Sequence, residues 1–135
     1  MSFEGLVGSW ELRSCSVQDA DGGTNYPYGS EPQGVILYTA AGWMSCHMAF
    51  GSAASDAESA GTIKYTSYHG PFTVAPDKSL VTHHVRGSSI DQLVGTDQVR
   101  SYAFDGDLLV LSASVDRSRV EVVWRAIPPA PNKAT

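Results

Sequence analysis

Long apolar runs are missing from this chain of 135 residues. None approaches the roughly 18 residues that a membrane-spanning helix requires. Basic clusters are missing too. The net charge is −5, and the few Lys and Arg residues are scattered, which argues against a phosphate backbone or an anionic lipid surface as partner. Cysteine is scarce: Cys15 and Cys46 are too few for a disulfide framework and too far apart for a zinc knuckle, so two thiols are expected. The opening residues Met1-Ser2-Phe3-Glu4 have neither the positive segment nor the apolar core of a secretory signal, and a cytoplasmic protein is expected. Catalytic signatures are also lacking. There is no Gly-x-Ser-x-Gly elbow, no His-Glu-x-x-His and no Gly-rich phosphate loop before a helix. No cofactor is therefore expected, and no metal. His83 and His84 are neighbours on a strand and point to opposite faces, so a metal site would have to recruit His47 or His69 as well.

What is present is alternation. The hydrophobic share of 42% and charged share of 17% fit one ordinary globular domain, expected over residues 1–127 with a Pro-rich tail over 128–135. Period-two patterning marks strands near residues 10–17, 34–39, 43–50, 65–74, 80–87, 98–104, 108–114 and 119–126. Turn chemistry separates them, most clearly at Asp105-Gly106-Asp107. Residues 24–33 are too rich in Pro and Gly for a central strand and read as an ordered loop across one end. Residues 51–61 are small and polar and read as a short helix or lid. The expected fold is all-β: an eight-stranded antiparallel up-and-down barrel, whose interior either packs full or holds one small ligand.

Gly8-Ser9-Trp10 suggests how one end is plugged. Gly8 permits a sharp bend, Trp10 supplies a large apolar surface, and Arg125 from the last strand could lie across the indole. Parity places Cys46 inward with Met44 and Met48. It places Cys15 opposite Trp10, and so outward.

Several further segments share a pattern with known proteins. These are Leu6-Val7-Gly8-Ser9-Trp10-Glu11-Leu12, Tyr26-Pro27-Tyr28-Gly29 with Pro32-Gln33-Gly34, and Leu37-Tyr38-Thr39 with Gly42-Trp43-Met44-Ser45. Tyr68-His69-Gly70-Pro71-Phe72, Val81-Thr82-His83-His84-Val85 and Val94-Gly95-Thr96-Asp97-Gln98-Val99-Arg100 follow in order. On these residues the chain resembles the lipocalin-like domain family, small relatives of the lipocalins within the calycin-like barrels. The resemblance implies a barrel with a central cavity and names no reaction. Some lipocalin-like barrels of natural-product biosynthesis resemble cyclases or isomerases, which keeps an enzymatic role open by analogy.

The candidate lining consists of polar or adaptable residues whose parity puts them on the apolar face. They are Tyr38, Met44, Cys46, Met48, Tyr68, Phe72, His83, Arg100, Tyr102 and Trp124. An inward Arg100 needs an internal acceptor or an anionic ligand group; a shifted register would instead turn it outward to Asp97 or Glu121. His83 reads either as a core histidine bonded to a backbone carbonyl or as a ligand-facing acid/base. The first functional expectation is binding of a small hydrophobic molecule with a carbonyl or carboxylate end. The second is a cofactor-free cyclase or isomerase in which His83 moves a proton and Arg100 stabilises enolate charge. A packed barrel acting through its surface, or as a homodimer, is the third.

Overall fold

The alternating pattern folds as sheet almost throughout. A computed structural model describes residues 5–50 and 65–130. Eight strands form the barrel: β1 (Gly8–Gln18), β3 (Gln33–Tyr38), β4 (Trp43–Ala49), β5 (Tyr65–Ala75), β6 (Leu80–His84), β8 (Asp97–Asp105), β9 (Leu108–Val115) and β10 (Ser118–Ala126). Two short ribbons flank them, β2 (Thr24–Asn25) beside β1 and β7 (Gly87–Ser88) beside β5. Each barrel strand pairs antiparallel with the next, and β10 returns to β1, which closes the barrel. The segment read as a helix or lid lies outside the described residues.

β1 carries the one irregularity that changes the interior. Leu12 stands opposite Trp124, yet Ser14 stands opposite Val123, so Arg13 is an extra residue in the ladder. Such a bulge inverts parity beyond it. Trp10 and Leu12 point inward before the bulge, and Cys15 points inward after it, only 4% exposed. The expected outward placement of Cys15 is therefore corrected.

Trp10 plugs the end of the barrel where β1 begins. Its indole N–H donates to the Leu6 carbonyl at 3.0 Å, and its ring lies 6.1 Å from that of Phe104. Gly8 precedes it with φ +145, a backbone region that side chains disfavour. Arg125 does not cover the indole. It stands opposite Glu11, on the outward face, and its Nε lies 3.6 Å from an Asp107 carboxylate oxygen. Strand parity is the reason: Trp10 is opposite Ala126, one residue further on.

Gly70 marks the tightest approach between strands. A Cβ there would run into the His84 carbonyl oxygen and the Arg86 amide nitrogen. The missing side chain lets β5 accept the chain as it leaves β6, with the Arg86 N–H donating to the His69 carbonyl at 2.8 Å.

Candidate functional site

The barrel interior divides into two levels. At the Trp10 end, Leu6, Tyr38, Met44, Phe72, Val81 and Leu109 fill the space, none more than 3% exposed. Towards the other end the same strands surround a cavity of about 320 Å³, at the small end of the roughly 300–1,000 Å³ range of ligand sites. β1 contributes Cys15 and Val17, β3 Ile36, and β4 Cys46 and Met48. β5 contributes Thr66 and Tyr68, β6 His83, and β8 Gln98 and Arg100. Leu111 comes from β9, with Val120, Val122 and Trp124 from β10. Pro27 and Tyr28, from the loop after β2, and Leu93, from the turn before β8, complete the wall.

Of the residues selected from sequence, Cys46, Met48, Tyr68, His83, Arg100 and Trp124 line this cavity. Tyr38, Met44 and Phe72 do not: they belong to the packed level, where Tyr38 meets Phe72 edge-to-face at 4.8 Å. Tyr102 is likewise outside the cavity wall and packs against Phe104 at 5.8 Å. Cys15, Val17, Pro27, Tyr28, Ile36, Thr66, Leu93, Gln98, Leu111, Val120 and Val122 were not singled out. Gln98 shares a strand face with Arg100 and was readable by parity. Tyr28 left a weaker signal, an aromatic inside a Pro/Gly loop. It swings in over the wall, 8% exposed, and its hydroxyl meets Thr66 Oγ1 at 2.6 Å.

His83 sits at the boundary between the levels. Nε2 meets the Tyr38 hydroxyl at 2.6 Å and Nδ1 meets the Tyr68 hydroxyl at 2.7 Å. Both ring nitrogens are thus engaged by side chains, not by a backbone carbonyl. Burial pulls the imidazole pKa down to about 3, with electrostatic repulsion from Arg100 and His84 adding to it. The ring is neutral at physiological pH. Burial also raises the Tyr68 and Tyr38 hydroxyls and pushes the Cys46 thiol up to about 12, so neither tyrosinate nor thiolate forms here.

Arg100 stands opposite Val81, which is fully buried, and so points inward. Its Nη1 donates to the Val99 carbonyl at 2.9 Å and its Nη2 to the Gln98 amide oxygen at 3.2 Å. Gln98 is oriented in turn by donating to Thr96 Oγ1 at 2.8 Å. Among the described residues no carboxylate lines the cavity or pairs with Arg100. The one formal charge on the wall is therefore positive.

Outside the barrel, Thr73 Oγ1, His84 and Asp97 form a chain of hydrogen bonds, each 2.9 Å. The order is that of a nucleophile, base and orienting acid. These side chains lie on the open outer face of β5, β6 and β8, where Thr73 and Asp97 are exposed and none of the three lines the cavity. The arrangement ties three strands together. Among the described residues no cluster of His, Cys, Asp and Glu could hold a metal ion, and no helix is long and apolar enough to cross a membrane.

Comparison with known proteins agrees with this architecture. The lipocalin-like domain family matches residues 7–126, the whole length of the barrel. Neither curated proteins nor solved structures gave a match. A lipocalin-like barrel with an interior cavity is a fold suited to small-molecule binding in general. On its strand order, its closure and this match, the chain belongs to the lipocalin-like domain family.

Proposed function

We propose that the protein binds one small, largely apolar molecule in the barrel cavity and addresses its carbonyl or carboxylate end through Arg100. The observation that carries this reading is an inward guanidinium with no carboxylate partner among the described residues, set in a largely apolar wall that carries no other charged side chain. A guanidinium has five N–H donors and no acceptor. Two of them are used on Val99 and Gln98, which leaves donors for a ligand oxygen. Met48, Cys46 and the valines of β10 supply an adaptable apolar surface for the rest of the molecule.

The alternative, a cyclase or isomerase, asks His83 to move a proton. A general base works best with its pKa near the working pH and a free nitrogen within reach of the substrate. His83 has a pKa near 3 and tyrosines on both nitrogens, which favours binding over proton transfer.

Native mass spectrometry of protein purified from its own host tests the proposal. The expected result is a defined small molecule bound to each chain, released on denaturation and lost in Arg100→Met. Protein that carries no adduct and retains no carboxylic or carbonyl compound from a mixture of apolar molecules would overturn it.

A further inference from the structure

Proton counting along the Tyr38–His83–Tyr68 chain leaves one donor over. A neutral imidazole has one N–H and one bare nitrogen. One tyrosine must therefore donate to the bare nitrogen while the other accepts from the N–H. Three protons meet two hydrogen bonds, so the accepting tyrosine keeps its own O–H unspent. On Tyr38 that proton would be stranded in the packed level, where the residue is 2% exposed against Phe72. An unmet buried donor costs about 1–3 kcal/mol. Tyr68 borders the cavity instead. The favoured arrangement has Tyr38 donating to Nε2, the Nδ1–H donating to Tyr68, and the Tyr68 O–H turned into the cavity.

Trp124 reaches the same end independently. Its side chain is 1% exposed and borders the cavity, and its indole N–H has no acceptor among the described residues. Trp10 shows the ordinary solution, an indole N–H satisfied by the Leu6 carbonyl. On the acceptor side, the Gln98 oxygen is taken by Arg100, and Thr66 is bonded to Tyr28. The wall thus offers donors in excess, together with a cation that lacks a counter-charge.

We propose that the cavity selects a ligand bearing an anionic oxygen, a carboxylate or an enolate, and holds it through the Tyr68 O–H and the Trp124 indole N–H as well as Arg100. This rests on the reading of the barrel as a small-molecule binder, and adds the ionisation state of the ligand and two contacts. An acceptor-only anion can accept from Tyr68, Trp124 and the guanidinium together and neutralises the guanidinium. A neutral alcohol brings a donor to a wall already rich in donors and leaves the guanidinium without a counter-charge, and an ammonium group adds a second positive charge beside Arg100. Charge-assisted hydrogen bonds are also the stronger class.

A matched set of probes tests the proposal: 2-naphthoate, its methyl ester, 2-naphthylmethanol and 2-naphthylmethylammonium. Affinities come from calorimetry, and the indole N–H signals from NMR of protein with 15N-labelled tryptophan. The three tryptophans give three such signals, and Trp124→Phe assigns the one of interest. The naphthoate is expected to bind at least about tenfold tighter than the other three. The Trp124 N–H signal should move downfield at saturation while that of Trp10 stays in place. Tyr68→Phe should weaken naphthoate about tenfold and leave the weaker binding of the ester unchanged. Equal binding of ester and acid, or a Trp124 signal unmoved at saturation, overturns this proposal alone. Binding of none of the four overturns it together with the small-molecule reading beneath it.

Discussion

The packed level and the cavity level of this barrel are built from the same strands and the same alternation. What separates them is side-chain volume. Around Val81 the interior receives Trp10, Tyr38 and Phe72, and three aromatics close the space. Towards the other end, β1, β4 and β10 offer Cys15, Val17, Cys46, Met48 and Val120. Side chains of that size cannot span a barrel of eight strands. The division shows that patterning makes the barrel, while residue size decides which part of it stays open.

The sharpest way to break this comparison is to remove volume from each level. Phe72→Ala should cost about 3–5 kcal/mol, because the packed side chains around it cannot collapse into the space. Val120→Ala borders existing empty volume and should cost about 1 kcal/mol or less. Urea unfolding midpoints measure both, and equal losses would mean that the two levels are packed alike. At the boundary, His83→Leu strands the buried Tyr38 hydroxyl, at about 1–3 kcal/mol, and removes the bond that Tyr68 accepts. The same unfolding curves report it, and a loss no larger than that of Val120→Ala would mean that the chain of hydrogen bonds holds little together.

A third prediction concerns pH. His83 has a folded pKa of about 3 against an ordinary value of 6.5. Between these values the unfolded chain binds a proton that the folded chain refuses, so stability rises with pH across this window and falls on acidification. The His83 contribution to the slope approaches about 1.4 kcal/mol per pH unit. His83→Gln should flatten it, and a slope unchanged in that variant would show that other groups carry it. The smallest effect is on thiol chemistry. Cys15 and Cys46 are buried, and the Cys46 thiol is pushed up to about 12. A thiol reagent should label neither in the native protein and both in urea. Fast native labelling would mean that the cavity level opens to bulk water.

The strands themselves were legible, because alternation is a local property and each barrel strand has one face turned to the core. Parity also brought His83, Arg100, Tyr68, Cys46 and Trp124 to the interior. Two kinds of information were not in the pattern. The first is depth. Alternation tells inward from outward and carries no record of height along the barrel, which follows from the stagger between strands. Tyr38, Met44 and Phe72 are inward like Tyr68 and Met48 and still lie below the cavity. The second is the extra residue in β1. Nothing about Arg13 announces a bulge, and every inference made across it for Cys15 came out inverted. Tyr28 was hidden for another reason: a loop residue has no period to read.

That extra residue also shapes how such a barrel can diverge. Deleting Arg13 would restore strict alternation in β1 and leave the wall as it is, with Leu12, Cys15 and Val17 facing the interior and Ser14 and Ser16 on the other face. The bulge thus takes up one residue of chain length on the outer face, and the apolar stretch of wall beyond it keeps its register with β10. A change of one residue in the length of this strand can then be absorbed at Arg13 without altering what a ligand would meet, while the seven remaining strands keep their places.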